Sequence, residues 1–251
     1  MIYLLAGKVA SGKSTAIIKI ADMLGRKRCA GLLSEELMED GQRRGFFSKG
    51  IHCKEEIILA HKDFVLKDHV EDFGVDLASF DKLCQKEFDR IYDSAVRFIL
   101  IDEIGRMQLM SDVFREYLNK IADGSKPLIA TICFDEDIDY IKAFKQKEKV
   151  KLYVLDENNR NKLPWKIVKD LTKEDVLYQN KLSLAEKYAS LEKRYQFEKD
   201  GVILRSDHGI RTIVKKDIYY CDCDYYKENG VCSHILSLLL IKERKHDLWQ
   251  T

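Results

Sequence analysis

The chain has 251 residues, 45% of them apolar and 34% charged, with a formal net charge of +1. That length suits one large domain or a medium domain with a small one, and the apolar share is that of a folded protein, not a disordered one. The near-neutral balance gives no bulk pull toward nucleic acid or a membrane surface, and the longest apolar runs, Ile235–Ile241 and Phe98–Ile101, fall far short of the roughly 20 residues of a membrane span. Ile2–Ala6 is too short for a signal-peptide core and meets Lys8 without a cleavage site, so a cytoplasmic location with no membrane contact is expected. In that compartment clustered cysteines are more often metal ligands than disulfides.

In chain order, Ile2–Ala6 predicts a buried parallel strand that ends at Gly7. Lys13–Leu24 carries Ile17, Ile20, Ala21 and Leu24 at helical spacing, and Gly25 stops it. Cys29–Leu33 reads as a second strand. Met38–Phe47 reads as a hairpin through Asp40-Gly41, and Ile57–Ala60 as a further strand. Leu77–Ala95 is an amphipathic helix by its apolar stripe, and Val96–Ile101 is a strand with acids at its C-terminal end. Ser111 caps a helix through Ala122. Leu128–Phe134 and Val150–Leu155 are strands with a charged helix between them. Strands alternating with helices predict an α/β fold with a mostly parallel sheet covered by helices.

After Pro164 the pattern changes. Thr172–Lys199 predicts one long polar helix with Leu177, Leu184, Leu191, Tyr188 and Tyr195 at heptad spacing, either packed on a neighbour or forming a short dimerising coiled coil. A hairpin follows, with Val202–Leu204, a turn at Asp207–Gly209, and Ile210–Val214. Ile235–Ile241 reads as an apolar helix.

Gly7-Lys8-Val9-Ala10-Ser11-Gly12-Lys13-Ser14 fits G-x-x-x-x-G-K-[ST], with a strand before it and a helix after it. A tight glycine-rich turn aims backbone N–H groups at phosphate oxygens, and the helix adds its positive N-terminus. Lys13 would reach the β- and γ-phosphates, and Ser14 would hold Mg²⁺. Phe98-Ile99-Leu100-Ile101-Asp102-Glu103 supplies the second metal carboxylate, Asp102, and next to it Glu103, placed to orient or deprotonate an attacking water. An acid directly after the metal carboxylate favours water as the acceptor. A cation on the transferred phosphoryl group is also wanted. Arg43, Arg44, Arg106 and Arg160 are candidates, with Arg44, beside Gly45, the first choice. Glu35 and Glu36 would lie near the phosphates, as metal or substrate contacts or as solvated acids.

The phosphate loop, Gly31-Leu32-Leu33-Ser34-Glu35-Glu36, Gly41-Gln42-Arg43-Arg44-Gly45-Phe46 and Ile101-Asp102-Glu103-Ile104-Gly105-Arg106-Met107 together resemble the cancer-related nucleoside-triphosphatase family. Leu155–Pro164 is similar to that family's closing motif, so the resemblance covers about residues 1 to 170. It implies a Mg²⁺-dependent P-loop enzyme that hydrolyses ATP, GTP and other nucleoside triphosphates with little base selectivity. The implied nucleotide set is Gly7, Lys8, Val9, Ala10, Ser11, Gly12, Lys13, Ser14 and Thr15, with Asp102 and Arg160. Departures are Ala10 for a loop glycine, Arg106 for a usual Lys, Gln108 for a usual Glu, and one extra Asn before Arg160.

Cys221-x-Cys223, eight residues, then Cys232-x-His234 is a four-ligand set of the kind a closed, structural zinc site uses. Asp224–Val231, with Asn229-Gly230 as its turn, lets the two pairs converge. The pattern from Val202 to Glu243 resembles the SWIM zinc-finger family, whose members are implicated in binding DNA or protein. Arg205, Arg211, Lys215 and Lys216 lie near the hairpin, and Tyr219, Tyr220, Tyr225 and Tyr226 could stack on bases. Yet residues 171–251 carry 14 Lys/Arg against 13 Asp/Glu, a weak surface for tracking phosphates. The partner of this ββα module is therefore nucleic acid or a protein. The resulting organisation is an NTPase domain at 1–170, a helical linker at 171–200 and a zinc module at 201–251. Two other readings stand beside hydrolysis: a nucleotide or small-molecule kinase, and a nucleotide-switched binding protein with little turnover.

Overall fold

The computed structural model describes residues 1–133, 137–216 and 218–248, and side chains as far as Arg244. Phe134, at the end of one predicted strand, lies outside them. The chain divides into two compact units, Met1–Ala21 with Arg28–Pro164, and Asp22–Lys27 with Trp165–Thr251.

The first unit is built on a nine-stranded sheet. Its elements are β1 (Ile2–Gly7), α1 (Lys13–Leu24), β2 (Cys29–Glu39), β3 (Gln42–Gly50), β4 (Glu56–His61), β5 (His69–Val70), β6 (Phe73–Val75), α2 (Leu77–Phe88), β7 (Phe98–Ile104), α3 (Arg106–Leu109), α4 (Asp112–Asp123), β8 (Leu128–Cys133), α5 (Asp139–Lys145), β9 (Val150–Val154) and the start of α6 (Lys162–Leu171). The strand order is β5-β6-β4-β3-β2-β7-β8-β1-β9. From β2 to β9 all neighbours run parallel; from β3 outward they run antiparallel. β1 is buried along its whole length between β8 and β9, as its unbroken apolar run requires. On α1 the predicted stripe Ile17, Ile20, Ala21 and Leu24 is fully buried, and Gly25 follows at φ +87°. Ser111 caps α4 by accepting a hydrogen bond from the Phe114 N–H at 2.9 Å.

Two elements of this unit differ from expectation. β2 is one strand through Glu39, so Ser34, Glu35 and Glu36 are strand residues between a parallel and an antiparallel neighbour. Its hairpin to β3 turns at Asp40 and Gly41, φ 48° and 75°, the left-handed pair that a two-residue turn of this hand needs. α2 ends at Phe88 and tightens into a 3₁₀ turn over Asp89–Tyr92. The Asp93 carboxylate, accepting from Ala95 N–H at 2.8 Å, then diverts the backbone.

In the second unit the expected long helix over Thr172–Lys199 is three pieces: α7 (Val176–Ala189), a 3₁₀ turn at Glu192–Arg194 and β10 (Tyr195–Glu198). The heptad leucines do not form a seam, since Leu177 is 67% and Leu191 37% exposed. The buried face is Tyr178, Leu182, Ala185 and Ala189, with Tyr188. β10 opens a four-stranded antiparallel sheet with β11 (Gly201–Ser206), β12 (Gly209–Lys215) and β13 (Tyr219–Cys221). α8 (Asp224–Asn229) replaces the expected loop, ended by Gly230 at φ 70°, and α9 (Ser233–Leu248) follows.

Candidate nucleotide site and cysteine-histidine cluster

In the first unit the loop from Gly7 to Lys13 carries Ala10 and Gly12 at φ 62° and 97°. Such left-handed turns direct successive N–H groups toward one anion. A Cβ at Gly7 would stand 2.4 Å from Ser11 Oγ and 2.9 Å from the Leu155 carbonyl, so the turn admits only glycine there. Ser11 Oγ is buried and, among the described residues, has no hydrogen-bond partner, as suits a group awaiting a phosphate oxygen. Lys13 Nζ folds back over the loop and donates to the carbonyls of Gly7 (3.0 Å) and Lys8 (3.2 Å).

Asp102 is 3% exposed near the end of β7. Burial pushes its carboxyl above the ordinary value, while hydrogen bonds with Ser14 and Thr131 and the charge of Lys13 hold part of that back. Thr131 Oγ1 donates to Asp102 Oδ1 at 2.5 Å, and Ser34 Oγ to the Asp102 carbonyl at 2.5 Å. Ser14 and Asp102 are thus already partners, the pairing a divalent cation would bridge. Glu103 is half-buried beside them. Its carboxylate sits where a Cβ on Gly105 would come within 2.8 Å of Oε1.

These residues form one end of a cleft of about 710 Å³ that opens off the ends of β7 and β8 and the middle of β2. Ser14, Thr15, Asp102 and Glu103 line that end; Glu35, Glu36, Arg43 and Arg106 line its sides. Arg160 lies on the other flank of the loop, its Cδ 3.6 Å from the position of a Cβ on Gly12. Arg44 is not brought to the cleft. It is clamped by Asp63 at 2.6 Å and Glu39 at 3.5 Å, which raise its pKa further. The strand pairing explains why. Leu37 pairs with Gly45 and Met38 with Arg43, leaving Arg44 as the extra residue of a β-bulge.

Residues 2–168 match the NTPase family. The chain belongs to that family. It is 34% identical over 163 residues to a nucleoside-triphosphatase THEP1 from Thermotoga sp. (strain RQ2), covering 65% of this chain and 91% of the relative. The crystal structure of THEP1 from the hyperthermophile Aquifex aeolicus matches with a TM-score of 0.62 at 29% identity, over 68% of this chain and 99% of that one. The solution structure of a human cancer-related nucleoside triphosphatase matches with a TM-score of 0.58 at 24% identity, over 68% and 97%, and shares the fold.

In the second unit β13 ends at Cys221, Cys223 precedes α8, Cys232 precedes α9 and His234 lies in its first turn. All four are buried, and their donor atoms lie within 4.8 Å of one another. Cys221 Sγ is 3.6 Å from His234 Nδ1, and the His234 ring stacks on Tyr188 at 5.8 Å and 12°. Burial and the neighbouring sulfurs push the Cys232 thiol up. This group could hold a metal ion, because four convergent soft donors otherwise leave crowded thiols in a dry pocket. Of the tyrosines expected to stack on bases, Tyr226 is buried, donating to the Tyr219 carbonyl at 2.9 Å, and Tyr219, Tyr220 and Tyr225 are partly buried against the same core. Lysines cover three of these rings: Lys181 over Tyr225, Lys216 over Tyr220 and Lys242 over Tyr219.

Residues the sequence did not single out are Thr131 beside Asp102, Phe73 in the cleft, and Glu87, while Ser34 and Phe46 stand in family-like motifs without a role of their own. Glu87 is fully buried and accepts from the N–H groups of Gly31, His52 and Cys53 at 2.7–2.9 Å. Thr131 carried one signal, a hydroxyl inside an apolar strand.

Proposed function

We propose that this protein hydrolyses ATP, GTP and other nucleoside triphosphates to the diphosphate and phosphate with Mg²⁺, and that a zinc-stapled module at 201–251 recognises nucleic acid or a protein. The chain is a nucleoside-triphosphatase. The observation that carries the reading is the Ser14–Asp102 pairing with Glu103 beside it at the mouth of the cleft. Ser14 and Asp102 would hold Mg²⁺, which neutralises charge on the β- and γ-phosphates. The loop N–H groups from Gly7 to Lys13, with Ser11 Oγ, bind the phosphates. Lys13 exchanges its two carbonyl partners for phosphate oxygens. Glu103 orients the water and takes its proton. Arg106, three residues on and lining the same cleft, supplies the further cation in place of the clamped Arg44. Arg160 and Thr15 contact the nucleotide.

Cys221, Cys223, Cys232 and His234 would hold a structural Zn²⁺. The NTPase match spans residues 2–168, and α7 and β10, within the expected linker 171–200, pack with the module in the second unit instead of standing as a separate connector. All seven cysteines are unpaired, which supports a reducing, cytoplasmic setting. Among the described residues no helix is long and apolar enough to cross a membrane. The test is phosphate release from ATP and GTP with Mg²⁺, with and without single- and double-stranded DNA, Lys13→Ala serving as blank. Glu103→Gln should lower turnover by about 10²- to 10⁴-fold; unchanged turnover would remove Glu103 from the mechanism. A several-fold rise with DNA supports nucleic acid as the partner, and indifference to DNA supports a protein.

A further inference from the structure

We propose that the cleft beside the phosphate loop is a second substrate site, for an uncharged nucleoside, and that the same centre passes the terminal phosphoryl group to that nucleoside's hydroxyl as well as to water. The inference rests on the phosphoryl-transfer reading of Ser14, Asp102 and Glu103. It adds an acceptor.

The sheet order sets two flanks. β1 lies between β9 on one side and β8, β7 and β2 on the other. The segment after β9 brings Arg160 against Gly12, on the first flank. The proposal assigns the donor's nucleoside to that flank, with Arg160 against it. The cleft opens on the second flank, off the ends of β7 and β8 and the middle of β2, where Ser14 and Asp102 mark the terminal phosphate. In an in-line displacement the entering atom approaches opposite the leaving β-phosphate oxygen. A group lodged beyond Glu103 is therefore an entering group.

The size and chemistry of the cleft exceed the needs of water. Its volume of about 710 Å³ falls within the roughly 300–1,000 Å³ of organic-ligand sites. Away from Glu103 its wall is Phe46 and Phe73, met edge to face at 5.3 Å and 64°, with Val70 beside them. The Arg43 guanidinium lies 5.2 Å over the Phe46 ring and is fixed by Glu36 at 2.9 Å. Aromatic and guanidinium planes of this kind take a flat heteroaromatic ring. Apart from Asp102, which the metal would neutralise, four acids line the cleft, Glu35, Glu36, Glu71 and Glu103, against Arg43 and Arg106. An excess of acids over cations away from the metal position disfavours an acceptor already carrying phosphate and leaves a neutral nucleoside as the fitting occupant.

In the step, the nucleoside hydroxyl oxygen forms a bond to the γ-phosphorus as the bridging bond to the β-phosphate oxygen breaks. The nucleoside diphosphate leaves with that electron pair, and the hydroxyl proton passes to Glu103. The products are a nucleoside monophosphate and a nucleoside diphosphate.

The experiment incubates the full chain with γ-labelled ATP, Mg²⁺ and, in turn, adenosine, guanosine, cytidine, uridine and thymidine. Labelled phosphate and labelled monophosphate are then separated. The expected result is labelled monophosphate with at least one nucleoside, and a monophosphate-to-phosphate ratio about tenfold or more lower in Phe46→Ala, the scale of losing one stacked base. Phosphate with no monophosphate from any of the five overturns the proposal and leaves hydrolysis standing. Monophosphate formed at an unchanged ratio in Phe46→Ala also overturns it, because the acceptor then sits elsewhere. Neither product with any nucleoside would sink the phosphoryl-transfer reading, and the acceptor site with it.

Discussion

Thr131 Oγ1 donates to Asp102 Oδ1 at 2.5 Å, from the neighbouring strand and in full burial. The hydroxyl occupies one carboxylate oxygen, which would leave the other for the proposed Mg²⁺, and it lowers the cost of an ionised carboxylate in a dry site. Thr131→Val removes the donor and keeps the shape. Mg²⁺ affinity in the presence of nucleotide should fall by about 10- to 100-fold with the fold intact. A metal titration of nucleotide hydrolysis checks this, and an unchanged midpoint would mean that Ser14 and Lys13 alone orient Asp102.

Gly105 stands where any side chain would press on Glu103. Its φ of −126° and ψ of −179° suit alanine without backbone strain. A Cβ there would meet Glu103 Oε1 at 2.8 Å and Gln108 Oε1 at 3.1 Å. Gly105→Ala should therefore shift the Glu103 carboxylate while sparing the phosphate loop. We expect kcat to fall by about 10²-fold with little change in KM, since a displacement near 1 Å is worth that much. Equal loss in both constants would place Gly105 in nucleotide binding instead.

The parts of the site that could be read from the chain are those made by contiguous residues. Gly7–Ser14 is one loop, Asp102 and Glu103 end one apolar run, and Cys221–His234 is one segment, so spacing alone marks them as candidates. What was hidden depends on pairing between distant residues. Thr131 meets Asp102 only because β8 lies beside β7. Arg43 and Phe46, three apart, reach the same cleft through the bulge at Arg44, which strict alternation along a strand would forbid. The helix expected over Thr172–Lys199 broke for a similar reason. Tyr195-Gln-Phe-Glu gains a strand partner in β11, and a helical pattern cannot show that edge.

Glu87 tests a structural role that has no counterpart in the reaction. Its carboxylate closes β2 and the turn after β3 by accepting three backbone N–H bonds in full burial. Gly50 leaves room for it, since a Cβ there would approach Glu87 Oε2 to 2.7 Å. Glu87→Leu orphans all three donors and should cost about 3 kcal/mol or more. Glu87→Gln keeps one acceptor oxygen and should cost about 1–3 kcal/mol. Urea unfolding of both variants decides it, and near-equal stabilities would show that the loop finds other acceptors.

Asp207 gives the second unit an acid-sensitive tie. Hydrogen bonds from Lys187 on α7 and Arg194 on the following turn, at 2.9 and 2.7 Å, hold its carboxyl down at about 2. The ordinary value is 3.8. The folded value lies below the unfolded one, so the stabilisation is present above pH 3.8 and is lost as pH falls toward 2. Wild type should unfold at higher urea than Asp207→Asn at pH 6, and the gap should close across that acid window. High salt should also narrow the gap at pH 6, because the group is exposed. A gap that persists at the acid end would place the effect in the turn geometry, not in the charge.

His234 depends on a side chain outside the four donors. Its ring lies on Tyr188 at 5.8 Å and 12°, with Nδ1 3.6 Å from Cys221 Sγ. Tyr188 in turn is fully buried, with the Arg194 guanidinium 5.3 Å over its ring. A flat neighbour that limits ring rotation should hold the imidazole nitrogen where the sulfurs converge, much as outer partners orient metal-bound histidines. Wild type should carry one zinc per chain, and the double variant Cys221→Ser, Cys223→Ser should carry none. Tyr188→Phe keeps the plane and should retain zinc against a competing chelator as wild type does. Tyr188→Leu keeps bulk without the plane and should release zinc at about 10- to 100-fold lower chelator concentration. Equal retention by the two Tyr188 variants would show that the backbone of α9 alone aims His234, and full zinc content in the double cysteine variant would remove the metal assignment itself.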